Sequence, residues 1–172
     1  MTQATLWSIC LLDTSSLMRL DGLDWPLPVP AAYTPEERRD VWAKLIDLSQ
    51  DGRLKLIKQV KEELKRKHPT ALDRLKAIKG TKMPRINNEL RQRYQWLLGQ
   101  YPRLISSDPR FDPADPWLIV SALQYGYTVI TEELPRSARQ SRAKRPPIPD
   151  VCDAVQVQWT SLRRLAEAEG WI

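Results

Sequence analysis

The chain has 172 residues, of which 42% are hydrophobic, and this predicts a single domain over residues 1–172 with a core of its own. Its formal charge of +6 favours polyanionic partners, without choosing between nucleic acid, a membrane surface and an acidic protein. No apolar stretch reaches membrane-spanning length and no signal peptide is visible, so we expect a cytoplasmic protein that does not enter a membrane. Cys10 and Cys152 lack the spacing of a zinc motif and are predicted to be small core residues.

The first predicted strand is the apolar run LWSICLL, residues 6–12, which ends at Asp13 and is followed by Thr14, Ser15 and Ser16. A run of this kind is typical of a central strand in a parallel sheet, and the sites of such sheets lie at the carboxyl ends of the strands. The sequence therefore predicts that Asp13 lies at that edge. The alternative is that Asp13 only caps a short helix that begins near Ser15.

Further strands and helices alternate along the rest of the chain. Strands are predicted at residues 54–58, 127–131 and 155–159. Helices are predicted at residues 15–20, 33–50, 60–67, 71–79, 86–98, 116–125 and 160–169, with a short one in IPDVC. Thr34 and Glu37 form a capping-box pattern around Pro35, and Gly126 is typical of a helix end. The prolines of residues 24–30 predict an extended connection.

This alternation predicts an α/β fold, a three-layer α/β/α arrangement around a central, mainly parallel sheet. A helical insertion between the second and third strands, at about residues 68–100, forms a basic excursion. The segment from Lys58 to Arg93 is strongly basic, and the loop from Pro135 to Pro149 carries five basic residues and no acid. These two basic segments flank the acidic residues described below. A run of charged residues is more commonly explained by a helix face that is exposed to solvent.

Acidic residues follow or lie beside the predicted carboxyl end of every strand. They are Asp13, Glu62, Glu63, Asp112, Asp115, Glu132, Glu133, Asp150 and Asp153. Clustered carboxylates raise each other's pKa, so such a cluster normally persists because a hard cation or a cationic ligand neutralises it, and Mg²⁺ or Mn²⁺ would do so. Zinc is disfavoured because His68 is the only histidine. Helix capping or the helix dipole explains each acid singly, but not their recurrence after every strand.

Five blocks carry a family resemblance: LLDTSSL, VKEEL, ADPWLIVSAL, YTVITEE and IPDVCDAV. In this order, and over nearly the whole chain, they resemble the PIN-domain nucleases, in particular a PIN-like branch often found as the toxin of prokaryotic toxin–antitoxin pairs. The resemblance implies metal ligands at Asp13, Glu63 and Asp115. It leaves the fourth acid open between Glu133, where the family usually has aspartate, and Asp150.

The resemblance also implies a PIN-like fold and a Mg²⁺- or Mn²⁺-dependent endoribonuclease, in which one or two metal ions activate a water for attack on phosphorus. Thr14 and Ser15 match the hydroxyl residues that orient the first acid. Basic residues are implied to hold the phosphate backbone of the RNA. They are Lys65, Arg66, Lys67, Arg136, Arg139 and Arg142. An antitoxin protein and a second copy of the chain are the further partners implied. RNA versus DNA, and any sequence preference, stay open.

Another Mg²⁺-dependent α/β fold and a non-catalytic module are the two alternatives to this interpretation. Haloacid-dehalogenase-type phosphatases and response-regulator receivers also place an Asp after the first strand. The phosphatase needs a second Asp where Ser15 stands, and the receiver needs a strand-end Lys that the sequence lacks. The other alternative is a non-catalytic, nucleic-acid-binding PIN-like module whose acids are structural.

Overall fold

A four-stranded sheet lies at the centre of the computed structural model, which describes residues 9–23, 33–76, 81–105, 110, 112–138 and 145–172. The strands are β1 (Cys10–Leu12), β2 (Leu54–Lys55), β3 (Thr128–Ile130) and β4 (Trp159–Thr160). The helices of the described residues are α1 (Thr14–Leu20), α2 (Pro35–Gln50), α3 (Lys58–Lys67), α4 (Pro69–Lys76), α5 (Asn88–Gln100), α6 (Ala114–Tyr125), α7 (Ile148–Ala154) and α8 (Leu162–Ala168).

All strand pairs are parallel, and the strand order is β2-β1-β3-β4. Parallel neighbours need crossover connections, and the helices between successive strands supply them. Strand β1 is central, and its residues Leu11 and Leu12 are fully buried, as a strand covered on both faces must be. The predicted α/β class, with helices flanking a parallel sheet in three layers, is confirmed.

The parallel arrangement brings the carboxyl ends of the strands to one edge. The backbone N–H of Asp13, directly after β1, donates to the carbonyl of Ile130 at 2.9 Å. Next along the sheet, the N–H of Thr131 donates to the carbonyl of Thr160 at 3.0 Å. The residues that follow β1 and β3 are therefore fixed by the sheet's own hydrogen bonds to the last residues of β3 and β4.

Two predicted helix boundaries are confirmed by their hydrogen bonds. Thr34 Oγ1 accepts from the N–H of Glu37 at 3.1 Å, and Glu37 Oε2 accepts from the N–H of Thr34 at 2.9 Å, which completes the capping box before α2. Gly126 ends α6 with a φ of 69°, a left-handed conformation that glycine adopts without steric cost.

Other predicted boundaries are wrong. Helix α6 begins at Ala114 rather than Pro116, so Asp115 lies in its first turn and Pro113 holds the N-cap position. Strand β4 begins at Trp159, because the residues predicted as its start end α7 and form a turn around Gln156, whose φ is 60°. Strand β2 is shorter than predicted, because α3 already begins at Lys58.

Several predictions concern residues outside the described part of the chain. They are the first residues of the apolar run, the proline-rich connection at residues 24–30, and two of the arginines, Arg139 and Arg142. Across the residues that are described, no helix combines the length and the apolar character needed to cross a membrane.

Candidate active site

A cavity of about 410 Å³ opens at the edge where the strands end. Its acidic lining residues are Asp13, Glu63, Asp112, Asp115 and Glu133, and its basic ones are Arg66, Lys67 and Arg145. The acids come from segments far apart in sequence: the end of β1, helix α3, the start of α6, and the segment after β3. The fold therefore brings together four of the five predicted catalytic acids.

Asp13 is buried, with 5% of its surface exposed, and is held by two hydroxyl groups. Its Oδ2 accepts hydrogen bonds from Ser15 Oγ at 2.6 Å and from Thr131 Oγ1 at 2.9 Å. Asp13 occupies the N-cap position of α1, but its side chain makes no capping hydrogen bond. Capping alone therefore does not account for this residue, and the predicted orienting role of Ser15 matches the geometry.

Burial raises the pKa of Asp13 above its ordinary value. The hydrogen bonds from Ser15 and Thr131 lower this pKa, and the nearby charge of Glu63 raises it, but the loss of hydration has the largest effect. The ionised Asp13 is thus short of compensating positive charge, which is the condition that a cation at this position would relieve.

Glu63 lies on α3 and is tied to the first turn of α1. Its Oε2 accepts from Thr14 Oγ1 at 2.7 Å, and its Oε1 lies 3.8 Å from Lys67 Nζ. The hydroxyl of Thr14 therefore positions the helix glutamate rather than Asp13, which corrects the predicted role of Thr14. The neighbouring Glu62 is exposed, pairs with Lys58 at 3.8 Å, and does not line the cavity.

Arg145 bridges two of the cavity's acids. One of its terminal nitrogens contacts Asp115 and the other contacts Glu133. Glu133 is also fixed by the backbone, since its Oε2 accepts from the N–H of Ile148 at 2.9 Å. Burial lowers the pKa of Arg145, while the charges of Asp13 and Glu63 raise it. The guanidinium thus supplies positive charge to one side of the cavity.

Asp150, the rival for the fourth acid, lies outside the cavity lining. Its two carboxylate oxygens accept from the backbone N–H of Arg136 at 3.1 and 3.3 Å. Of the two candidates, the fold brings Glu133 rather than Asp150 to the other acids.

Glu132 is buried like Glu133 but has different partners. Its Oε1 accepts from the N–H of Leu162 at the start of α8, 2.9 Å away, and its Oε2 lies 3.7 Å from Arg19 Nε. Burial raises the pKa of Glu132. It is not among the residues that line the acidic cavity.

The predicted phosphate-binding residues are divided by the fold. Arg66 and Lys67 line the cavity, whereas Lys65 is exposed on the same helix and does not. Arg136 lies in a short 3-10 helix beside Asp150, outside the cavity. The only histidine of the sequence, His68, pairs with Asp21 at 2.5 Å and is likewise absent from the lining.

The donor set of the cavity suits a hard divalent cation, because carboxylate oxygens are the ligands that Mg²⁺ and Mn²⁺ prefer. Asp13, Glu63, Asp115 and Glu133 are the residues present for that purpose. Among the described residues, however, no group of three or more His, Cys, Asp or Glu side chains lies close enough to hold a metal ion. Asp115 and Glu133 are instead drawn to the guanidinium of Arg145.

Two residues of this site, Thr131 and Arg145, are not predicted by the sequence. Thr131 is predicted only as the last residue of a strand, although a hydroxyl residue at a strand end beside an acid is a signal for a hydrogen bond to that acid. Arg145 is one of several basic residues in an arginine-rich segment, and no local pattern distinguishes it from the others.

The fold and the cavity define a class of protein: a parallel α/β protein with an acidic cavity at the carboxyl ends of its strands. A family model described as a domain of unknown function, DUF4411, matches residues 11–172. The chain therefore belongs to the DUF4411 family. Neither the curated proteins nor the solved structures include a match to it.

Proposed function

We propose that this protein is a Mg²⁺- or Mn²⁺-dependent endonuclease that hydrolyses phosphodiester bonds, with RNA as its substrate. One observation carries the proposal: Asp13, Glu63, Asp115 and Glu133 line one cavity at the carboxyl edge of a parallel sheet. Ligands of α/β proteins bind at this edge. An oxygen-only donor set that includes a buried carboxylate suits a hard divalent cation.

A divalent cation at this site would lower the pKa of a bound water and offset negative charge on the phosphate. The chain's own residues would prepare the site for it. Ser15 and Thr131 hold Asp13 in one orientation, and Thr14 does the same for Glu63. Arg66 and Lys67 line the cavity and attract the phosphate backbone, giving an affinity that falls with salt.

One observation favours a second candidate, a nucleic-acid-binding module without catalysis. The guanidinium of Arg145 already contacts both Asp115 and Glu133, so each of these acids has a cationic partner without a metal ion, and one of their two negative charges is offset. In this alternative the acids hold the side chain of Arg145, and the basic residues bind nucleic acid.

The role as the toxin of a toxin–antitoxin pair, and an antitoxin as partner, are proposed from the resemblance of the sequence blocks alone, because fold and site do not specify biological context. A small antitoxin gene adjacent to the gene for this chain would support this role.

The test is cleavage of labelled single-stranded and structured RNAs and DNAs by the purified chain, with Mg²⁺, Mn²⁺ or EDTA. Glu63→Gln and Glu62→Gln form a matched pair, because they remove the same charge from adjacent residues of α3 and only Glu63 lines the cavity. We expect cleavage that needs the metal, that Glu63→Gln loses and that Glu62→Gln retains. RNA cleaved in preference to DNA would identify the substrate class.

Nucleic-acid binding without metal-dependent cleavage by the wild type would overturn the nuclease proposal in favour of the binding module. Equal loss of cleavage in Glu62→Gln and Glu63→Gln would overturn the assignment of the site.

A further inference from the structure

A second cavity, of about 340 Å³, lies beside the acidic one, between α3, α6 and the segment at residues 82–86. Its lining includes the cations Lys61, Lys82 and Arg85 and the large apolar side chains Met83 and Ile86, and contains no acid among the described residues. We call it the basic groove. Its charge is opposite to that of the acidic cavity, so the two are suited to different parts of a ligand.

Of the four cations that line the basic groove, Lys58 lies 3.8 Å from Glu62, and the other three have no acidic partner among the described residues. Within the described part of the chain, no Asp or Glu forms an ion pair with Lys61, Lys82 or Arg85. Burial, and then the positive charges of Lys82 and Lys76, lower the pKa of Lys61. Lysines placed together without an acid repel one another, and an anion bound between them would relieve that repulsion.

The apolar part of the groove is accessible to a ligand. Ile86 exposes 37% of its surface, although it is a large hydrophobic residue. Trp117 is half-buried in the groove lining, and its ring stacks on Tyr94 with centroids 4.0 Å apart. The stacking holds the indole in place, so the groove has a rigid aromatic residue in its wall.

The basic groove and the acidic cavity share a wall. Gln59 and Trp117 line the groove, and both donate to Asp112, which lines the acidic cavity; the two hydrogen bonds are 2.8 and 2.9 Å long. A chain-like ligand in the groove would therefore reach the acids by passing Asp112.

We infer that the basic groove binds an unpaired nucleic-acid strand, with phosphates at Lys61 and Lys82 and a base against Met83 and Ile86. Alternating anionic and flat apolar parts are the chemistry of such a strand, and sites for unpaired strands combine cations with apolar or aromatic surfaces in this way. A duplex would present its phosphates but not its base faces. The inference rests on the proposed function in one respect: the strand in the groove is the one that reaches the acidic cavity.

The test is binding of a fluorescent single-stranded oligonucleotide of about 12 nucleotides, a length within the range of such sites, to the full chain in EDTA. Lys61→Met/Lys82→Met removes two charges but keeps the unbranched apolar stems. The control, Arg39→Met/Lys44→Met, removes two charges from the exposed face of α2. We expect Lys61→Met/Lys82→Met, the groove variant, to raise the Kd about tenfold. It should also reduce the magnitude of the slope of log K against log salt concentration by about 1.4, the value for the loss of two phosphate contacts to a single strand.

An abasic strand of the same length tests the base contact. We expect the wild type to bind it several-fold more weakly than the normal strand, and Ile86→Ala to reduce this difference. Equal Kd values for the groove variant and its control would overturn the inference, as would equal affinity for the abasic strand or for polyglutamate of the same charge.

The two proposals fail in different ways. Groove-dependent strand binding by a wild type that cleaves nothing would overturn the proposed function and leave the groove assignment standing. Metal-dependent cleavage with a Kd and KM unchanged in the groove variant would overturn the groove assignment and leave the proposed function standing.

Discussion

The hydroxyl of Thr14 donates to Oε2 of Glu63 at 2.7 Å, and this contact joins two elements that are 49 residues apart in sequence. Thr14 is the first residue of α1, which follows the central strand, and Glu63 lies on α3, which follows the neighbouring strand. The contact therefore fixes the position of one acid relative to the edge of the sheet where the others converge.

We expect Thr14→Val to weaken metal-dependent cleavage, because valine keeps the shape of threonine but removes the hydroxyl that orients Glu63. Loss of a hydrogen-bonding partner of a metal ligand typically costs about 10–100-fold in metal affinity or activity. The measurement is the Mn²⁺ concentration needed for half-maximal cleavage. Thr14→Ser should keep the half-maximal Mn²⁺ concentration of the wild type. The same half-maximal concentration in Thr14→Val and in the wild type would contradict the orienting role of the hydroxyl.

We expect Arg145→Ala to increase the affinity of the metal-free protein for Mn²⁺, because the guanidinium and a metal ion compete for Asp115 and Glu133. Removing it leaves two carboxylates that repel each other and favour a cation. Calorimetric titration should show a gain of about tenfold or more, and Mn²⁺ should raise the Tm of this variant more than that of the wild type.

The matched variant is Arg145→Lys, which keeps one positive charge but cannot bridge two carboxylates in the bidentate manner of arginine. Its Mn²⁺ affinity should lie between those of the wild type and Arg145→Ala. If Arg145→Ala instead binds Mn²⁺ more weakly, the arginine supports the metal site and does not compete with it.

The acids at the ends of the strands could be predicted from sequence because their positions follow from local patterns. An apolar run ending in an acid identifies Asp13, and the acids after the third strand follow the same rule. The assignment of Glu63 over Glu62 came from a family resemblance, and the structure places Glu63 in the cavity and Glu62 outside it.

The hydrogen bonds between these segments could not be predicted. Which hydroxyl reaches which carboxylate depends on how α1, α3 and the end of β3 pack together. In this packing Thr14 donates to Glu63, although the sequence predicts that it orients Asp13. Arg145 contacts Asp115 and Glu133, which lie in other segments of the chain, and no local pattern predicts these contacts. The family resemblance leaves Glu133 and Asp150 as rivals for the fourth acid, and only the structure shows that the N–H of Arg136 binds Asp150 outside the cavity.

We expect Asp13→Asn to stabilise the metal-free protein at neutral pH. In the folded protein the pKa of Asp13 lies above its ordinary value of 3.8. The protonated Asp13 side chain therefore contributes fully to stability below pH 3.8, and this contribution is lost as the pH rises through the pKa of the folded state. Asparagine can still accept hydrogen bonds from Ser15 and Thr131 without a buried charge. At pH 8 in EDTA, the Tm should rise by about 2–4 °C for each 1 kcal/mol gained.

This gain should shrink as the pH falls and should be smallest below pH 3.8, the ordinary pKa of the group, where the carboxyl is mostly protonated in both the folded and the unfolded protein. Glu62→Gln is the control, because it removes the same charge from an exposed position and so relieves no buried charge. An Asp13→Asn gain that is the same at both pH values would mean that relief of a buried charge is not its cause.

Glu132 and Glu133 are neighbours that contact different parts of the molecule. We therefore expect substitution of Glu132 to affect stability and substitution of Glu133 to affect cleavage. Glu132→Ala removes the acceptor for the N–H of Leu162 and should cost about 1–3 kcal/mol, measured as a lower Tm, while the folded variant keeps its cleavage rate. Glu133→Gln keeps an acceptor for the N–H of Ile148 and should stay folded, but lose cleavage by on the order of 100-fold. The reverse pattern, with cleavage lost at Glu132 and retained at Glu133, would show that the cavity's fourth acid has been assigned to the wrong glutamate.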